Sequence, residues 1–130
     1  ELGEWMTDNV TVVRYNDKLL QTDEKIQELL ERYQHININD TSKWSNQGAA
    51  FTRQLQNMLQ LARVITIGAY NRNESRGAHY KPDFPERNDE EFMKTTMAKF
   101  VDSKSAPAFH YEDIDVSLIK PRKRDYTTKH

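Results

Sequence analysis

Through the first half of the chain apolar residues recur every three or four positions, and in the second half that period is lost. Leu2, Trp5, Met6, Val10 and Val13 fall on one face and predict a first helix over 2–13. Asn16 and Asp17 interrupt the pattern. Leu19, Ile26, Leu29, Leu30 and Tyr33 then repeat it among Asp23, Glu24, Lys25, Glu28, Glu31 and Arg32, which predicts a second amphipathic helix over 17–34. Residues 37–42 (Asn-Ile-Asn-Asp-Thr-Ser) carry side chains that bond their own backbone, so they read as a loop, which Trp44 is expected to pin to the core.

The third segment has the strongest pattern. Phe51, Leu55, Met58, Ala62, Ile65, Ala69 and Arg72 alternate steps of four and three, and Leu59, Leu61, Val64 and Ile67 widen the stripe beyond a two-stranded seam. This predicts a central helix over 48–74, roughly 40 Å long at 1.5 Å per residue, with both earlier helices packed antiparallel along it as a three-helix bundle. After Gly77 the pattern changes. Pro82 and Pro85 exclude helix across Tyr80 to Phe84, Asp89–Glu91 is a short acidic stretch, and Lys94–Val101 and Ala108–Ile114 read as a β-hairpin joined by turn residues 102–105. The hairpin alternates incompletely and is expected to lie on a neighbour as a flap. The fold class is therefore mainly α, a three-helix bundle over 1–76, followed over 77–130 by an extended segment, a β-hairpin and a basic tail, in one domain.

Composition narrows the function classes. The 130 residues include no cysteine, which excludes disulfides, thiolate metal sites and cysteine nucleophiles from this piece. Nineteen Lys and Arg against 20 Asp and Glu give a net charge of −1, which argues against a nucleic-acid footprint over the whole domain. Hydrophobic residues make up 36%, below the roughly 45% of ordinary globular domains, so part of the surface is expected to lie against something else. No apolar run approaches the roughly 20 residues of a membrane-spanning helix. The chain begins with Glu1 inside an apolar period and reads as a fragment of a larger design. Its last eleven residues carry Lys120, Arg122, Lys123, Arg124 and Lys129 against Asp125, a local charge of +4 that reads as a docking strand.

Candidate chemistry is sparse. His110 with Glu112, Asp113 and Asp115 has hard-cation donors, but acidic residues on a hairpin edge are ordinarily a solvated edge that resists pairing. His35 sits where an imidazolium complements a helix end. The one dense constellation is residues 72–80 (Arg-Asn-Glu-Ser-Arg-Gly-Ala-His-Tyr) at the end of the central helix. Gly77 fits a left-handed helix terminator, and Arg72, Arg76 and His79 suit the exposed carbonyls of a helix end. Two guanidiniums, a carboxylate and an imidazole also suit a buried inter-domain polar network or an anion site.

Glu74-Ser75-Arg76-Gly77-Ala78-His79 after a long helix, followed by Asp83-Phe84-Pro85-Glu86-Arg87-Asn88-Asp89, resembles the C-terminal domain of succinate dehydrogenase and fumarate reductase flavoprotein subunits. Leu2-Gly3-Glu4 with Trp5-Met6, the hairpin, and a tail with Ile119-Lys120-Pro121-Arg122 and Tyr126 follow that family's order over essentially the whole chain. Tyr80-Lys81-Pro82 departs from the Arg-containing stretch common after the His. The resemblance implies a spectrin-repeat-like bundle that buttresses the FAD-binding domain of the same chain, in a peripheral complex with an iron–sulfur subunit at the cytoplasmic face of the membrane, reached only through anchor subunits. It implies FAD in the parent and none held by this piece, no catalytic or metal-binding residue here, no activity for the fragment alone, and an inter-domain interface role for Glu74, Arg76 and His79. L-aspartate oxidase shares the domain and a related Arg-Gly motif, so the motif alone leaves that parent open. A free-standing helical interaction module would explain the composition but not residues 74–79.

Overall fold

The computed structural model describes residues 1–122. Helix α1 spans Leu2–Asn9, α2 Asn16–Tyr33 and α3 Gln47–Asn71; a single turn, α4, spans Asp89–Phe92, and β1 (Lys94–Lys99) pairs antiparallel with β2 (Ala108–Asp113). The mainly helical class and the hairpin match the sequence pattern, whereas several boundaries move for local reasons. Helix α1 stops at Asn9, short of the expected Val13. Thr11, Val12 and Val13 are β-branched, and Arg14 Nε donates to Val10 O at 2.7 Å, which satisfies a carbonyl at the helix end. Val13 then forms an isolated parallel bridge with Tyr80, where Arg14 N donates to Tyr80 O at 3.0 Å.

Asn46 starts α3, its side-chain oxygen accepting from Ala49 N at 2.8 Å. At 25 residues α3 is about 37 Å long. It ends three residues before the expected position because Arg72 turns extended (φ −95°, ψ 91°) and carries its guanidinium into the polar network described below. Gly77 consequently does not terminate the helix. Its φ of +60° serves a tight turn in which Arg76 N donates to His79 O at 2.8 Å and His79 N to Arg76 O at 3.0 Å.

The core consists of two buried clusters. Ile26, Leu30, Leu59 and Ala62 pack with Leu2, Met6, Tyr33 and Leu55, while Val10, Leu19 and Ala69 pack with Met6 and Tyr70. These contacts pair the start of α2 with the end of α3, so the two run antiparallel. They also place Leu2 near Leu59 and Val10 near Ala69, so α1 runs parallel to α3, contrary to the expectation that both earlier helices oppose it. This is the up-down-up order of a three-helix bundle.

The buried stripe of α3 is also rotated from the predicted one. Leu59, Ala62, Arg63, Thr66 and Ala69 are buried, whereas Phe51 (61%), Met58 (51%), Leu61 (62%) and Ile65 (51%) stand exposed. Thr66 belongs inside because its hydroxyl donates to Ala62 O at 2.8 Å, and Thr22 on α2 does the same to Lys18 O at 2.8 Å. Counting apolar letters misses such positions. Trp44 is 88% exposed and does not pin the preceding loop. That loop is held by polar bonds instead, with Asp40 Oδ1 accepting from Ser42 N at 2.8 Å and Asn46 Nδ2 donating to Asp40 O at 2.7 Å.

The hairpin lies on α3. Phe109 sits against Gly68, where any Cβ would come within 3.3 Å of the ring. Buried Arg63 pairs with Asp23 of α2 (Nε to Oδ1, 2.9 Å) and donates to the carbonyls of Lys104 and Ser105 at 3.2 and 3.1 Å, so one guanidinium joins α2, α3 and the hairpin loop. Of the basic tail, Lys120 and Arg122 are described; Lys123, Arg124, Tyr126 and Lys129 lie outside the described residues. Among the described residues no helix is long and apolar enough to cross a membrane.

Candidate functional site

The residues singled out from the sequence meet where α3 ends. Glu74 is wholly buried, at 0% exposure, and its carboxylate is saturated. Oε1 accepts from Arg72 Nε and Arg76 Nε, both at 2.8 Å; Oε2 accepts from Arg76 Nη2 and Asn88 N, both at 2.9 Å. Burial alone would raise its pKa, but the bonds from Arg76, Asn88 and Arg72 outweigh that and hold the carboxyl below its usual range. It is an ion at neutral pH and cannot serve as an acid or base.

The arginines spread outward from that carboxylate. Arg76 Nη2 reaches Asp89 Oδ1 at 2.7 Å, and Arg87 Nη2 reaches Asp89 Oδ2 at 2.6 Å. Asp89 begins α4, whose first turn is capped by Asn88 Oδ1 accepting from Glu91 N at 3.1 Å; the acidic stretch read from the sequence is thus a helix start. Arg72 donates to Phe92 O and, at 2.9 Å, to Thr96 Oγ1 of β1, with its guanidinium 5.4 Å from the Phe92 ring centroid. Ser75 Oγ accepts from Lys81 N at 2.9 Å and faces Phe84 O at 2.8 Å, folding the proline-containing segment back onto the motif.

His79 turns the other way. Its Nε2 lies 2.9 Å from Arg72 O and its Nδ1 2.5 Å from Arg14 Nη1. A guanidinium only donates and a carbonyl only accepts, so the consistent assignment is a neutral ring protonated on Nε2. Burial, with the charges of Arg14, Lys81 and Arg72, lowers its pKa against the opposing bond to Arg72 O.

Sequence reasoning missed Lys81, a neighbour of this motif noted only as a departure from a family pattern. It is 1% exposed, and its Nζ donates to Asn16 Oδ1 (2.7 Å), Tyr70 O (2.9 Å) and Asn73 Oδ1 (3.0 Å). Burial first and the charge of Arg14 second push its pKa down to about 8, with Asp83 opposing. The available signal was position: a lysine just beyond a helix end can cap that helix's carbonyls, as Lys81 does at Tyr70 O.

Of the helix-capping reading, His79 alone holds, and the ionic network observed lies within this domain. His79 and Lys81 serve the last carbonyls of α3, while Glu74, Arg72, Arg76 and Asp89 form a buried ionic network that ties α3 to α4 and β1. No buried side-chain polar atom among the described residues lacks a partner, and no group of three or more His, Asp or Glu is placed to hold a metal. His110 lies apart from this site on β2, its Nε2 3.5 Å from Glu112 Oε1, with both side chains more than half exposed. The network can hold and orient; it offers no free nucleophile or proton carrier.

Comparison with known proteins bears on this architecture. Residues 1–126 match the family described as fumarate reductase flavoprotein C-term. The chain is 78% identical over 129 residues to a succinate dehydrogenase flavoprotein subunit of Bacillus subtilis strain 168, covering 99% of the chain and 22% of that protein. It is 36% identical over 128 residues to a fumarate reductase flavoprotein subunit of Proteus vulgaris, covering 97% of the chain and 21% of that protein. A solved E. coli quinol fumarate reductase superposes with a TM-score of 0.87 at 32% identity over 93% of the chain and 21% of its own. The chain thus spans about a fifth of the length of the relatives it matches.

Proposed function

This chain belongs to the fumarate reductase flavoprotein C-terminal family, and from that premise we propose that it is the C-terminal helical domain of a succinate dehydrogenase flavoprotein subunit. The observation that carries the reading is the 78% identity over nearly the whole chain to a subunit of that name, which also favours this parent over L-aspartate oxidase. In the parent, a flavin held by the preceding region would supply the hydride chemistry between succinate and fumarate, with an iron–sulfur subunit as electron partner. The complex meets the membrane at its cytoplasmic face through anchor subunits.

The flavin belongs to the preceding region in this reading, because the residues here do not suit it. Gly3 and Gly68 lie within helices, Gly48 lies in the first turn of α3 and Gly77 in a two-residue turn, so none of the four forms the strand-to-helix glycine loop that approaches a pyrophosphate. What this chain contributes is a shaped, rigid support. Glu74 anchors the motif from inside, while Arg76 and His79, each only partly buried, stand at the rim where the flavin-binding domain would rest. The exposed apolar residues Phe51, Met58, Leu61 and Ile65 are consistent with a domain that is covered on more than one side.

The test is a comparison of the full-length subunit with this chain alone. The full-length protein should carry flavin absorbance and reduce an artificial electron acceptor in a succinate-dependent way, and the 130-residue chain should do neither. Flavin binding or succinate oxidation by the short chain would overturn the assignment.

A further inference from the structure

The charges at the end of α3 divide into two sets. Arg63, Arg72, Arg76 and Arg87 each meet a carboxylate within 3 Å. Arg14 and Lys81, beside them, take only neutral acceptors: His79 Nδ1, Val10 O and Thr11 O for Arg14, and Asn16 Oδ1, Tyr70 O and Asn73 Oδ1 for Lys81. Helix C-termini supply about half a negative charge each and Asp83 acts on Lys81 as well, which leaves Arg14 the less compensated of the two cations. A guanidinium has five N–H donors, and the three acceptors around Arg14 leave two of them open.

The surroundings of Arg14 have the composition of an interface centre. Val12 is 66% exposed, Val13 42%, Tyr15 40% and Tyr80 44%; the bridge sets Val13 beside Tyr80 on one face of this extended segment, and Arg14 turns to the other face, against His79. Tyr and Arg are enriched among the residues that carry binding energy at protein interfaces. A half-buried charge without a counter-ion is costly at all times, which favours a partner that is always present over a transient one.

We propose that Arg14, in the exposed segment that also carries Val12, Val13 and Tyr15, receives an Asp or Glu side chain from the preceding part of the same polypeptide. This rests on reading the chain as the C-terminal part of a larger flavoprotein subunit. The carboxylate accepts from the two open N–H groups of Arg14 and adds to the negative charge that Asp83 alone supplies near Lys81. It extends the interface from Arg76 and His79 to the α1–α2 connection.

The experiment uses the full-length subunit in its assembled complex. Arg14→Lys places an amine at the site, and a zero-length carbodiimide then joins that amine to any carboxylate in contact with it. The expected product is a cross-linked peptide linking position 14 to an Asp or Glu preceding residue 1. Cross-links only to carboxylates within these 130 residues, only to another subunit, or none at all would overturn the proposal. A second variant guards against loss of reach by the shorter side chain. Arg14→Glu should make proteolytic separation of the C-terminal part at least tenfold faster, while Arg53→Glu, at an exposed cation elsewhere on α3, leaves it unchanged; equal rates for both variants count against the interface. Flavin content and succinate oxidation of the unsubstituted subunit report separately on the parent's identity. If both are present while the cross-link is absent, the Arg14 surface fails and the assignment stands; if both are absent, the assignment itself fails.

Discussion

Where α3 ends, a buried carboxylate gathers four hydrogen bonds and draws α3, α4 and β1 into one ionic network. Where α3 begins, Asn46 caps the first turn, Trp44 stands 88% exposed, and a cleft of about 330 Å³ opens among Leu2, Leu29, Tyr33, Ile36, Leu55 and Leu59. The first end is fastened by directional, charge-assisted bonds that fail together when one partner is removed. The second rests on local caps and apolar contact that yield gradually. A domain built this way has one end with fixed geometry, suited to being joined to something, and one end that tolerates change.

The strongest way to break that difference is Glu74→Ala, which leaves two guanidiniums and the Asn88 N–H facing a void. It should cost about 3–5 kcal/mol in denaturant unfolding, because a buried ion pair is broken from one side. Leu59→Ala, in the wall of the cleft, should cost about 2–3 kcal/mol, the lower part of the range for buried leucines, since the site already adjoins open space. On the same helix Leu61→Ala should stay within about 0.5 kcal/mol, and the contrast between the two checks that the buried stripe is the rotated one.

Acid sharpens the comparison further. The pKa of His79 is depressed in the folded state, so the unfolded chain binds its proton more readily; its contribution to stability is present above pH 6.5 and lost as pH falls from there. Glu74 and Asp89 are depressed as well, so their contributions persist to lower pH and are lost below the ordinary carboxylate range. A series of melting temperatures from pH 7.5 to 3 should therefore decline in two stages, and His79→Gln should flatten the first while leaving the second. The smallest effect expected is that of Trp44→Ala at the other end, within about 0.5 kcal/mol by the same unfolding measurement.

Much of this division was legible in the sequence. The three amphipathic helices, the loss of helical period after Gly77 and the hairpin all follow from spacing, because burial of an apolar face is what those patterns encode. Glu74, Arg76 and His79 were legible as a constellation; the structure joins Glu74 to Arg76 and turns the His79 ring away, toward Arg14 and Arg72 O. What was not legible depends on contacts across the chain. Arg63 is inside only because Asp23 and the hairpin loop satisfy it, while Thr66 beside it bonds Ala62 O one turn back, and that rotation turned Met58 and Ile65 outward. Lys81 is buried because Asn16, 65 residues away, supplies an acceptor. Gly77 looked like a helix terminator because a left-handed glycine serves a helix end and a tight turn equally well; the early departure of Arg72 toward Glu74 and β1 decided between them.

The central claim is that the Glu74 end is the attached end. Amide hydrogen exchange, compared between the full-length subunit and this chain alone, addresses it directly. The account predicts that amides in 12–15 and 76–81 gain protection when the rest of the subunit is present, while those in 36–45 exchange alike in both. Equal exchange at 12–15 and 76–81, with new protection at 36–45, would contradict it.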